Sequence, residues 1–73
     1  MIRDLYKQGV QAANAGDKNK ALDLFTKAVK IDPEFEQGWT AIGQLLSDPE
    51  KKEYCFKKVL SINPDSKVAL QYF

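Results

Sequence analysis

Ten carboxylates, eleven basic side chains and one thiol, Cys55, are the groups with which this sequence could do chemistry, and it contains no histidine. Without imidazole the chain lacks the commonest metal ligand and the usual general acid or base near neutral pH. The carboxylates that lie close together, Glu34 with Glu36 and Glu50 with Glu53, fall on surface positions with no apolar pocket to raise a pKa. Neither pair has a second set of ligands beside it, so no metal is expected. The four glycines are dispersed and form neither GxGxxG nor GxxxxGK, so no phosphate loop and no cofactor is expected. Cys55 aligns with a buried apolar position, where a thiol acts as a small hydrophobe. No residue is assigned a catalytic role, and the chain is expected not to be an enzyme.

Whatever positions these groups must be small. At 73 residues, 1–73 forms one domain with a thin core. A net charge of +1 provides no long-range field to gather phosphates, so nucleic acid is not an expected partner. Apolar runs of two or three residues fall far short of the roughly 20 that span a bilayer, and the opening MIRDLYKQ has Asp and Gln where a signal peptide needs an apolar stretch. A lone cysteine cannot close an internal disulfide, which fits a reducing, cytoplasmic location.

Landmarks recur at fixed separations. Leu5 and Trp39, and Gly9 and Gly43, are 34 residues apart, whereas Asp17 and Asp48, Phe25 and Phe56, Ile31 and Ile62, and Pro33 and Pro64 are 31 apart. The change locates a three-residue deletion between Gly43 and Asp48, which shortens one helix by about a turn. Ala21, Leu22, Leu24, Phe25, Ala28, Val29 and Ile31 follow helical spacing with lysines between them, and Cys55, Phe56, Val59, Leu60 and Ile62 repeat the pattern. These residues, with Trp39 and the phenylalanines, are the expected core. Asp17 after Gly16, and Asp48 before Pro49, are helix start signals; Pro33 and Pro64 end helices, and Asp65 or Ser66 restarts one. The reading is all-α, with helices at about 2–15, 18–31, 35–46, 49–62 and 66–73.

These residues resemble the tetratricopeptide repeat, a 34-residue helix-turn-helix unit with small residues where its helices touch and a proline after the second. Gly9, Ala21, Phe25, Ala28 and Pro33 match in a first repeat of about 2–35; Trp39, Gly43, Phe56 and Pro64 match in a second of about 36–66, three residues short; 67–73 begins a third. Lys52 stands where the family packs a small residue, and Val59 where it packs alanine. The string DPEKKEYCFKKVLSINP is also similar to degenerate repeats of larger bacterial proteins, which implies a module of a longer chain.

The resemblance implies an α-α superhelix of antiparallel hairpins that acts as a protein-interaction module, scaffold or adaptor. Its concave face would be lined by the first helix of each repeat: Arg3, Tyr6, Val10, Ala13 and Asn14, then Gln37, Thr40 and Gln44, then Val68 and Gln71. Amides, a hydroxyl and one arginine around Tyr6 suit hydrogen bonding to a protein segment. Chaperone-binding members clamp a terminal carboxylate with lysine and asparagines; here those positions are Tyr6, Val10 and Ala41, so binding to EEVD-type tails is not expected. Val68, Leu70, Tyr72 and Phe73 form an apolar end, so the alternative is a homo-oligomer joined there. The lysines of the two second helices alternate with Asp23, Glu50 and Glu53 and read as a solvated convex face.

Overall fold

A computed structural model describes residues 1–73 as five helices with no strand: α1 (Ile2–Asn14), α2 (Lys18–Ile31), α3 (Glu36–Leu45), α4 (Pro49–Ile62) and α5 (Lys67–Tyr72). Each packs on the next, giving the hairpins α1/α2 and α3/α4 with α5 laid against α4.

Local chemistry sets the boundaries. After α1, Gly16 takes φ +85°, a left-handed conformation that glycine adopts without strain. There the Gly16 N–H donates to the Ala13 carbonyl (3.0 Å) and the Asp17 N–H to that of Ala12 (2.8 Å), closing the helix end. Asp17 and Asp48 then cap α2 and α4 by accepting from the Lys20 and Glu50 N–H groups, 3.1 Å in both cases. The exits match as well. Asp32 and Asn63 each accept, through a side-chain oxygen, the N–H two residues on at 3.1 Å, which bends the chain at Pro33 and Pro64. Ser66 caps α5 through the Ala69 N–H (3.4 Å).

Glycine makes the close approach of each hairpin possible. A Cβ on Gly9 would lie 2.6 Å from the Phe25 ring, and one on Gly43 would lie 3.0 Å from that of Phe56. The hairpins differ in length: α3 has 10 residues against 13 in α1. At its truncated end the Lys52 Nζ donates to the carbonyls of Gly43 (2.6 Å) and Leu46 (3.0 Å). A cation is favourable at a helix C-terminus, where carbonyls lack partners.

The core has two parts. Ala12, Ala21, Leu24, Phe25, Val29, Ile42 and Cys55 form the larger cluster, and Phe56, Val59 and Ala69 the smaller, with Trp39 packed against both. Trp39 is only half-buried, its Nε1–H donating to the Pro33 carbonyl at 2.8 Å. Four residues of the expected core lie outside it, Phe35 and Ile62 half-buried but packed against neither cluster and two others exposed. Ile31, in the last turn of α2, is 54% exposed, and Phe73, after α5, is 57% exposed.

Candidate functional site

The concave face is centred on Tyr6. Its ring lies 5.6 Å from that of Phe25 and 5.6 Å, edge to face, from that of Phe35, so neighbouring aromatics fix its direction. Three depressions meet at this residue. One, of about 200 Å³, brings Gln37, Thr40 and Gln44 together with Tyr6 and reaches Val68 on α5. A second, of about 180 Å³, places Val10, Ala13 and Asn14 opposite Gln44. The third, of about 520 Å³, sets Arg3 beside Tyr6 and Gln37. Gln71 is exposed on α5 and lines none of them.

Other side chains in these walls were not marked by position in the repeat. Lys7 joins Arg3 at the rim, Phe35 backs Tyr6, and Glu36 lines the first depression while its Oε2 accepts from Asn63 Nδ2 at 3.2 Å. The Glu36–Asn63 bond ties the entry of α3 to the loop before α5. Only a contact across the second repeat, from its first residue to the loop at its end, reveals it, and periodicity within one helix carries no such signal.

At the apolar end, Leu70 is 52% exposed and Val68 is also exposed. Tyr72 is committed within the chain: its ring lies 4.9 Å from that of Phe56, and its hydroxyl donates to the Pro49 carbonyl at 3.1 Å. It fastens α5 to α4, and the more exposed apolar groups of this end are Leu70, Phe73, whose ring lies 5.1 Å edge to face from that of Tyr72, and Val68, which also borders the concave depression.

Cys55 is buried in the larger cluster. Burial pushes its thiol up from the ordinary range, and the nearby Lys52 charge opposes that only in part. The thiolate is therefore scarce at neutral pH. No group of three or more His, Cys, Asp or Glu side chains is placed to hold a metal, and no helix is long and apolar enough to cross a membrane.

Comparison with known proteins agrees with this architecture. The family model described as tetratricopeptide repeat matches residues 2–35, the α1/α2 hairpin with the turn that follows it. An uncharacterized protein of Methanocaldococcus jannaschii is 35% identical over 60 residues, an alignment covering 78% of this chain and 70% of that protein. With paired helices, glycine-spaced crossings and proline-marked exits in place, the chain belongs to the tetratricopeptide-repeat family, whose repeats generally mediate protein–protein interaction or scaffolding.

Proposed function

We propose that the protein is a non-enzymatic, cytoplasmic scaffold or adaptor module that holds a segment of another protein across its concave face. The observation that carries this reading is the convergence of three depressions on Tyr6, a half-buried aromatic ringed by amide and hydroxyl side chains. An aromatic whose ring is already fixed loses little entropy on binding, and flanking amides can pair with the backbone of an extended or helical segment. Lysine and asparagine do not occupy the clamp positions at Tyr6, Val10 and Ala41, so a terminal carboxylate is not the recognised feature.

Selection of peptides from a random displayed library against the wild-type protein tests the site. Binders that lose about tenfold or more in affinity to Tyr6→Ala and to Gln44→Ala support it. Binders indifferent to both substitutions would sink it.

The exposure of Val68, Leu70 and Phe73 favours a second reading, self-association through this end. Light scattering separates the two. A dimer that Phe73→Asp converts to monomer supports self-association, and a wild-type monomer at high concentration rejects it.

A further inference from the structure

An apolar groove lies on the convex side, between α2 and α4. It is a shallow, open trough of about 490 Å³, with Leu22 and Thr26 on one wall, Glu50, Lys51, Tyr54 and Cys55 on the other, and Ile42 and Leu46 at the truncated end of α3. Part of the space is explained by the repeat itself. Cys55 stands where the first hairpin has Leu24, and the smaller side chain fills less of the inter-helix gap. Tyr54, 59% exposed, stands as a wall of the groove with its ring 6.0 Å from that of Trp39.

The charge around this groove is one-sided. Helices α2 and α4 carry eight lysines and three acids. Two of the acids are already paired with a lysine one turn on, Asp23 with Lys27 (3.2 Å) and Glu53 with Lys57 (3.3 Å). Lys52 faces the carbonyls at the end of α3. What is left without an acidic partner is Lys18, whose Nζ donates to Ser47 Oγ (3.2 Å), Lys58, whose Nζ lies 5.8 Å over the Trp39 ring, and Lys20, Lys30 and Lys51, against Glu50.

Spacing sets several of these cations at the groove. Lys18, Leu22, Thr26 and Lys30 follow one another at intervals of four along α2, so its wall begins and ends in a lysine. Lys51, Tyr54 and Lys58 form the corresponding row on α4. The two helices run in the same direction as the return limbs of successive hairpins, so Lys18 and Lys51 stand towards one end of the groove and Lys30 and Lys58 towards the other, with Lys51 in the wall itself. Alternation along the sequence suggested a neutral, solvated face. Two of the three acids, however, are paired within their own helices, Glu50 lines the groove beside Lys51, and the other unpaired lysines lie on its flanks.

We infer that this convex groove is a second protein-docking surface, and that its occupant is an acidic amphipathic helix of a partner protein. The apolar stripe of such a helix lies between Leu22 and Tyr54, and its flanking carboxylates meet Lys18, Lys30, Lys51 and Lys58. Lys18 and Lys30 are 12 residues apart on α2, about 18 Å of helix, so four turns of a ligand reach from one to the other across the groove. Helix-in-groove recognition of this kind reads apolar anchors three and four residues apart.

The test uses the full chain and three probes. These are a synthetic helical peptide of about 18 residues with leucines at i, i+4 and i+7 and glutamates elsewhere, the same peptide with lysines in place of the glutamates, and phosphatidylglycerol vesicles. Saturable binding of the acidic peptide is expected, weakening about tenfold between low salt and about 0.5 M salt. The lysine peptide should not bind. Tyr54→Ala should weaken the acidic peptide about fivefold or more, and Lys30→Glu with Lys51→Glu should transfer preference to the lysine peptide, circular dichroism confirming that each variant is folded. Tyr6→Ala should leave this binding unchanged, which separates the convex groove from the concave site. No binding of the acidic peptide up to about 1 mM, binding insensitive to Tyr54→Ala and to charge reversal, or binding to the vesicles alone would overturn the inference.

Discussion

The two hairpins solve one packing problem differently. In α1/α2 the crossing is dry and small, with Gly9 under Phe25 and both Ala21 and Ala28 fully buried. In α3/α4, Gly43 lies against Phe56 in the same way, but Lys52 stands in place of Ala21 and Val59 in place of Ala28. A lysine at a dry crossing would be an unpaired buried charge. It is tolerated in the second hairpin because the facing helix is shorter by a turn, and the carbonyls left at its end accept from Nζ. The deletion and the lysine are thus a matched pair of departures: each makes the other acceptable.

Transplanting the lysine breaks this comparison most severely. Ala21→Lys puts a cation at a position with no exposure and no truncated helix end beside it, and urea titration should show a loss of roughly 4 kcal/mol. A loss below about 1 kcal/mol would mean that the first hairpin tolerates the lysine without a deletion. Next in size, Lys52→Met keeps the aliphatic length and removes the donors to Gly43 and Leu46. The expected cost is about 1.5 kcal/mol, and an unchanged urea midpoint would show that water serves those carbonyls equally well.

The glycines sharpen the comparison at its smallest scale. Alanine in mid-helix gains about 0.5–1 kcal/mol over glycine, but crowding a packed core costs about 1–3 kcal/mol. The added Cβ at position 9 meets the buried Phe25 ring at 2.6–2.9 Å, so Gly9→Ala should be destabilising by about 1 kcal/mol net. At position 43 the ring atoms lie at 3.0–3.2 Å, and Gly43→Ala should fall within about 0.5 kcal/mol of the wild type. Equal losses for the two would mean that the crossings are equally tight.

What the sequence revealed divides along the same physical line. Helix starts and stops were legible because they are set within a few residues, by Gly16 and Asp17, by Asp48 and Pro49, and by the bends at Asp32 and Asn63. The grouping of the concave residues about Tyr6 followed from counting along the repeat, with Gln71 falling outside. Three features depended on distances between helices and were not legible. Ile31 has the correct period but lies in the last turn of α2, exposed to solvent. Tyr72 looked like a free apolar group but is hydrogen-bonded to Pro49. The convex groove exists through the separation of α2 and α4, which no single-helix pattern encodes.

Trp39 has one further consequence. Every helix touches mainly its neighbours in sequence, so the molecule behaves as a short linear array whose cooperativity rests on its nearest-neighbour couplings. Trp39 is packed against both core clusters, and its indole N–H is bonded to the carbonyl of Pro33 at the boundary between hairpins. The sole tryptophan therefore sits at the junction of the array, and the coincidence or separation of its emission transition and the far-UV circular dichroism transition reports whether the two hairpins melt as one unit or in sequence.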